Sequence, residues 1–231
     1  MKTGSAFSSP WQPQSKRSRE RSIKKGAILR VAVSAFNERG YLATSLDDVA
    51  STLNVTKATI YHYFTTKEDI LYECLKIGIG EVQAAITKGV RQDGTGAERL
   101  RTLLLGYGEV ALSDFGRCVM RTTRSDLSAD KWDSAMKLKR AIGASIRKVI
   151  SDGIADGSLV QNKVSVIMYT ATGALDALPL WYKPSGALSA PKFVASVVSL
   201  LMDGLCSNSP AGSQPTRPHR PRTRISAKTR A

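Results

Sequence analysis

The stretch Ser45-Leu46-Asp47-Asp48-Val49-Ala50-Ser51-Thr52-Leu53-Asn54-Val55-Thr56-Lys57-Ala58-Thr59-Ile60-Tyr61-His62-Tyr63-Phe64 decides the fold. Ser45 with Asp48 three residues later has capping-box spacing, and Asp47 and Asp48 suit the positive end of a helix. Leu46, Val49, Ala50 and Leu53 follow the i, i+3, i+4, i+7 pattern, which predicts a helix of about two turns. Asn54 tolerates the left-handed conformation, so Asn54-Val55 reads as a tight turn, and Thr56 caps the next helix, Lys57 to Phe64. Two short helices joined so closely form a helix-turn-helix, the arrangement that places its second helix in a major groove of DNA. Ile60 and Phe64, four apart, face inward. Thr56, Lys57, Ala58, Thr59, Tyr61, His62 and Tyr63 remain as a polar, aromatic surface without acids.

Outward from this segment the apolar spacing is helical nearly everywhere, and no window shows sustained strand alternation, so the fold class is all-α. A first helix spans about Ser18 to Arg39, with Ile23, Ala27, Ile28, Val31, Ala35 and Phe36 on one stripe and Gly40 ending it. Thr65-Thr66 breaks the third helix and caps a fourth, whose buried stripe is Ile70, Leu71, Cys74 and Leu75. Further helices are expected over Lys67 to Val90, Ala97 to Ser113, Gly116 to Arg124, Lys131 to Ala155, Asn162 to Tyr182 and Ser189 to Leu205. Turn signals at Asp93-Gly94, Asp156-Gly157 and Pro184-Ser185-Gly186 separate several of them. The expected organisation is a basic disordered arm at 1–17, a DNA-binding domain at 18–66, a helical domain at 67–206, and a disordered Arg/Pro tail at 207–231.

Charge supports this division. The 231 residues carry 34 Lys plus Arg against 19 Asp plus Glu, a net +15, which points to a polyanion partner. Residues 1–67 hold 11 basic and 4 acidic side chains, residues 68–206 hold 17 and 15, and residues 207–231 hold 6 and none. The excess sits at the two ends of a nearly balanced centre. Cys74, Cys118 and Cys206 are odd in number and widely spaced, and His62 and His219 are the only histidines, so neither a disulfide framework nor a metal site is expected. The N-terminus lacks the apolar core of a signal peptide, and a cytoplasmic location follows. Val164 to Tyr182 is apolar, but Thr170, Thr172, Gly173, Asp176 and Pro179 mark it as a helix buried by protein and not a membrane span.

The runs Ala35-Phe36-Asn37-Glu38-Arg39-Gly40-Tyr41, Thr44-Ser45-Leu46-Asp47-Asp48-Val49-Ala50, Val55 to Phe64, and Lys67-Glu68 together resemble the DNA-binding domain of TetR-family transcriptional regulators, over about residues 20–81. Asn54 stands where that family usually has Gly; the two share the required backbone conformation. The resemblance implies that Thr44, Tyr61, Tyr63 and Lys67 contact phosphates, that Ser45 starts the second helix beside them, and that Thr56, Lys57, Ala58 and Thr59 face bases, with His62 on the same surface. Lys57 can donate to guanine, and the methyls of Ala58 and Thr59 can touch thymine. Lys16, Arg17, Arg19, Arg21, Lys24 and Lys25 form either a specific backbone or minor-groove arm or a general electrostatic attractant.

The resemblance further implies a homodimer and a ligand enclosed by the C-terminal helices. Phe193, Val194, Val197, Val198, Leu200 and Leu201 cover more of the last helix than one core face needs, which fits dimerisation. Trp181-Tyr182-Lys183-Pro184-Ser185-Gly186 resembles a turn in a TetR subgroup that regulates steroid and fatty-acid breakdown, some members of which respond to acyl-CoA thioesters. A rigid turn with an aromatic plug is the alternative to a ligand contact there. Phe115, Met120, Trp132, Met136 and Met168 are candidate linings for an apolar ligand, with Asp176 and Trp181 as further candidates. Lys139, Arg140, Arg147 and Lys148 either meet a CoA phosphate or form an ordinary exposed helix face. No catalytic set, metal or cofactor is expected beyond a small-molecule effector. The expected function is a ligand-responsive repressor on a near-palindromic operator. An activator of the same fold and an architectural protein coating DNA without sequence preference are the alternatives.

Overall fold

The computed structural model describes residues 16–206, and within them the chain is helical with no strand. The proposed disorder of residues 1–15 and of the tail 207–231 lies outside the described residues. The elements run α1 (Lys16–Arg39), α2 (Leu46–Thr52), α3 (Lys57–Tyr61), α4 (Lys67–Arg91), α5 (Gly96–Leu112), α6 (Asp114–Arg121), a single 3-10 turn (Arg124–Asp126), α7 (Ala129–Ala155), α8 (Val164–Asp176), α9 (Leu178–Trp181) and α10 (Ala190–Leu205).

The local signals work as their chemistry requires. Gly40, at φ +86°, ends α1. Ser45 and Asp48 close a reciprocal capping box on α2, and Thr66 and Asp69 close another on α4. Asn54 takes φ 52°, and the Asn54 and Val55 N–H groups donate to the Ser51 and Ala50 carbonyls, a Schellman ending of α2.

Three boundaries differ from expectation. α1 begins at Lys16, so Arg17 lies on a helix and not in an extended arm. On its stripe Ile28, Ala35 and Phe36 are buried, but Ile23 is exposed because α1 outruns the body it packs on. α3 is only five residues long, with His62 as its C-cap and a turn delivering Phe64 to the core. The expected helix from Asn162 to Tyr182 is two helices. Pro179 lacks an N–H and its ring opposes the carbonyl four residues back, so α8 ends at Asp176 and α9 restarts after it. The run Val164–Trp181 has the length and apolar composition of a membrane span. The break leaves α8 with 13 residues, roughly 20 Å at ~1.5 Å per residue, short of the ~30 Å of a bilayer core.

α4 is the common element, packing on α1, α5, α6 and α7, and α5 in turn supports α7, α8, α9 and α10. One continuous apolar core runs from α1 to α10. α5 and α7 approach backbone to backbone: a Cβ on Gly96 would lie 2.1 Å from the Gly153 Cα. α6 is wedged between α4 and α1, and this placement matters for the two sites below.

Candidate nucleic-acid interface and interior cavity

α3 stands on α2, anchored by the fully buried Ile60 and by Phe64. Thr56 caps it: its hydroxyl accepts from the Thr59 N–H at 3.2 Å and bonds the Thr59 hydroxyl at 2.9 Å. Thr56, Lys57, Ala58, Thr59, Tyr61 and His62 are exposed together on one face; Tyr63 is half-buried, its ring edge-on to His62 at 5.1 Å. Ser45 is exposed, with its hydroxyl accepting from the Asp48 N–H.

Two features of this face were not apparent from the sequence pattern. Lys57 Nζ donates to Asp47 Oδ2 at 2.7 Å, so an acid of α2 sits beside the foremost cation of α3. That bond raises the Lys57 pKa. Arg17, Arg21 and Lys24 of α1 share an open cleft with His62 and Tyr63, which puts helical cations beside the end of α3.

Thr44 and Lys67 depart from their expected roles. Thr44 is 2% exposed, and its hydroxyl lies 2.8 Å from the Gly40 carbonyl and 3.1 Å from that of Ala35, so it closes the end of α1 and is not open to a phosphate. Lys67 Nζ donates to the carbonyls of Tyr41 (2.8 Å), Thr44 (3.0 Å) and Leu42 (3.3 Å) and sits 4.4 Å from the Tyr41 ring centre. Burial lowers its pKa. Its three donors are engaged by the loop between α1 and α2, so Lys67 fastens that loop instead of standing free for a phosphate.

In the body of the molecule, α4, α5, α6, α7 and α8 enclose a cavity of about 250 Å³. Ile79, Val82, Val119, Ile142, Ile146 and Met168 give it apolar walls. Its polar groups are few: Tyr107 donates to Asp176 Oδ1 at 2.6 Å, Thr172 donates to the Met168 carbonyl, and Lys139 Nζ reaches only the Val119 carbonyl, at 3.5 Å. Burial pushes the Asp176 pKa up and the Lys139 pKa down, and raises that of Tyr107 with help from the Asp176 charge. Tyr169 lines the cavity yet is 63% exposed, which marks the mouth on the outer face of α8.

Of the expected ligand contacts, Met120, Met168 and Asp176 line this cavity. The other five do not. Phe115 and Met136 pack on the core, Trp132 lies under Arg124 at 6.0 Å, Arg140 is exposed, and Trp181, 55% exposed, belongs to a shallow hollow by the turn at 183–186. That turn is closed by the Gly186 N–H on the Lys183 carbonyl, and Tyr182 packs on Phe193 at 5.6 Å, an aromatic plug. Of the four α7 cations expected to meet a CoA phosphate or to form an exposed face, Lys148 is exposed and paired with Asp152, and Lys139 lines the cavity. Its spacing from Ala135, Ile142 and Ile146 carried that signal: all four share one helical face. Among the described residues no group of His, Cys, Asp and Glu could hold a metal ion.

Val119 and Met120 of α6 line the cavity, while the ends of the same helix hold α1. Asn37 Nδ2 donates to the Asp114 carbonyl at 2.8 Å, and Arg121 donates to the Asn37 carbonyl.

Residues 28–74 match the family described as bacterial regulatory proteins, tetR family, and residues 93–205 match a tetracyclin repressor-like C-terminal domain. The HTH-type transcriptional repressor KstR2 of Rhodococcus jostii (strain RHA1) is 24% identical over 197 residues, 81% of this chain and 93% of that protein. A transcriptional regulator of the TetR/AcrR family from Thermobifida fusca superposes with a TM-score of 0.63 at 30% identity, over 79% of this chain and 98% of the other. AibR, solved in complex with isovaleryl coenzyme A and operator DNA, superposes with a TM-score of 0.71 at 21% identity, over 78% of this chain and 98% of the other. From its helix-turn-helix to its last long helix, the chain belongs to the TetR family of transcriptional regulators.

Proposed function

We propose that this regulator is a repressor acting in the bacterial cytoplasm, binding a near-palindromic operator as a homodimer and leaving it when a small hydrophobic or acyl-CoA-type effector enters the interior cavity. Residues 18–66 read the DNA, with Thr56, Lys57, Ala58 and Thr59 toward bases and Tyr61, His62, Tyr63 and the α1 cations toward the backbone; residues 67–206 dimerise and bind the effector. The observation that carries the reading is the double engagement of α6, which walls the cavity with Val119 and Met120 and grips α1 through Asn37. An effector that favours a shifted α6 moves α1 and the spacing of the two recognition helices. Such a switch needs only a difference in affinity between the two states.

Dimerisation has its own support. Val194, Val198, Met202 and Leu205 of α10 are buried, yet Leu200 is 74% exposed, and Val166 of α8 is also exposed. Exposed large apolar side chains on both helices fit a face covered by a second copy of the chain. The isovaleryl coenzyme A bound to AibR makes an acyl thioester the first class to test.

The deciding experiment is fluorescence anisotropy on a DNA fragment from upstream of the protein's own gene, with bulk DNA as competitor. Selective binding that an acyl-CoA titration reverses is expected. Binding that ignores sequence and vanishes with salt would instead favour an architectural protein.

A further inference from the structure

We infer that α6 has a second seat on α1, in which the Arg117 Nε–H donates to Asn37 Oδ1, and that this bond holds the effector-loaded arrangement of the regulator. This extends the reading of the interior cavity as the effector site, and rests on it. Among the described residues, three side-chain polar atoms closed off from solvent have no hydrogen-bond partner: Asn37 Oδ1, Arg117 Nε and Arg99 Nε. The first two lie at one joint, and they are an acceptor and a donor. Asp114 binds both residues: its carbonyl accepts from Asn37 Nδ2 at 2.8 Å, and its carboxylate accepts from Arg117 Nη2 at 2.7 Å. Asp114, Arg117 and Arg121 recur at i, i+3 and i+7 and so share one face of α6. Asn37 is gripped at both ends of that face, through its side chain by Asp114 and through its carbonyl by Arg121, and Arg117 stands between the two grips. Arg99, on α5, has no such counterpart.

A buried donor and a buried acceptor left apart cost the joint free energy that pairing returns. The seat observed forgoes that bond and keeps the close contact of α6 with α4. A seat nearer α1 trades one for the other, so a modest push decides between them. The push has a route. Val119 lines the cavity, and its Cγ2 lies 2.6 Å from where a Cβ on Gly78 would stand, so one side chain of α6 touches both α4 and the effector space. Arg117 is two residues from Phe115 and two from Val119, which puts it on the opposite side of a helix with ~3.6 residues per turn. Because α6 is wedged between α4 and α1, a body pressing on Val119 drives the Arg117 side of the helix outward along α1, where Asn37 waits.

The test separates the joint from the ligand. Gly78→Ala presses α6 off α4 without any effector, and Val119→Ile presses the same contact by one methylene should Gly78→Ala not fold. Arg117→Met is made in the unmodified and in the pressed full chain, and urea unfolding is read for each. The loss of the Asp114 partner is common to both backgrounds and cancels in the cycle. Arg117→Met is expected to raise the unfolding constant about tenfold more in the pressed protein than in the unmodified one, a step typical of one buried hydrogen bond. An equal effect in both backgrounds overturns the inference. On the ligand side, nitrogen-edited proton NMR follows the Arg117 Nε–H, identified by its loss in Arg117→Met, as isovaleryl coenzyme A is added to the unmodified full chain without DNA. A downfield shift of that proton at saturation is expected. If isovaleryl coenzyme A binds and releases the operator while the proton does not move, the repressor reading stands and the second seat is excluded. If the cycle shows the coupling and isovaleryl coenzyme A releases nothing, the second seat stands and the thioester reading fails.

Discussion

At the helix-turn-helix end, polar groups find their partners close by in the chain: Ser45 with Asp48, Thr56 with Thr59, Lys57 with Asp47 ten residues away. In the cavity they come from distant helices, Tyr107 meeting Asp176 across 69 residues and Lys139 reaching the Val119 carbonyl across 20. The first arrangement is set within a few residues of chain. The second exists only once the helices have packed. A surface built to meet DNA is thus set by short-range chemistry, and a receptor is set by what the fold brings together.

Lys67 is where the contrast is most easily broken, because its bonds at the DNA-facing end reach carbonyls 23 to 26 residues away. Lys67→Met strips a cationic partner from three carbonyls of the loop between α1 and α2. A loss of about 1.5–3 kcal/mol is expected from urea midpoints, as for hydrogen bonds to charged groups. DNA affinity should fall on every sequence while the slope of log affinity against log salt stays constant. A slope shallower by about 0.9 would instead return Lys67 to a phosphate.

The next test acts between the two regions. A Cβ on Gly78 would lie 2.5 Å from the Phe115 carbonyl oxygen and 2.6 Å from Val119 Cγ2, so Gly78→Ala must push α6 off α4. About 1–3 kcal/mol of destabilisation is expected from such overpacking. Operator affinity should drop although no residue of the helix-turn-helix or of the charged cavity pair has changed. Gly80→Ala, which meets nothing within 4 Å, serves as the control and should leave binding intact.

The same contrast explains what the sequence made legible. Capping boxes, the Asn54 turn and the Gly40 stop are patterns of three to five residues, and each is a complete physical statement in one dimension. Of the cavity, Met120, Met168 and Asp176 were readable, the methionines as adaptable apolar linings and the aspartate as an acid in an otherwise apolar helix. Lys139 was readable too, by its register with Ala135, Ile142 and Ile146, although a lysine among five other cations on α7 suggests an exposed face. Trp132 and Met136 share α7 with Lys139 and still miss the cavity, and Phe115 misses it on α6. Whether a large apolar side chain meets a cavity or its neighbours depends on helix placement, which periodicity does not contain. Thr44 and Lys67 fail for a related reason: a motif records which residue is present, and only the fold shows what it is already bonded to.

A smaller effect is expected where α4 meets α7. The Ser128 N–H donates to Glu68 at 2.6 Å, and Lys131 lies 2.6 Å from Asp69 and 3.3 Å from Glu68. The Ser128 bonds hold the Glu68 pKa below its ordinary value, and the Lys131 bond does the same for Asp69. Their contribution is therefore complete above the unfolded carboxylate range of about 4 and is lost as pH falls through the lowered values. Because these groups are partly solvated, the whole effect should be about 1 kcal/mol or less. Urea midpoints at pH 7 and pH 3.5 should differ less in Lys131→Met than in the unmodified protein; an unchanged difference would show that acid acts elsewhere.

The smallest change bears most directly on how the DNA-facing surface works. With Asp47 at 2.7 Å, Lys57 can approach a base or phosphate only by exchanging one oxygen partner for another, and the displaced Asp47 then faces the polyanion unneutralised. Asp47→Asn removes that opposing charge while leaving the capping box of Ser45 and Asp48 in place. Affinity for DNA of any sequence should rise a few-fold at low salt, with a steeper salt slope, while the ratio of operator to bulk binding falls. The acid at the face would then act as a brake on indiscriminate binding, raising selectivity by penalising contacts that do not repay its displacement. If Asp47→Asn left both the slope and the ratio unchanged, Lys57 would lie away from the DNA, and the reading surface would have to be redrawn around Thr59 and Tyr61.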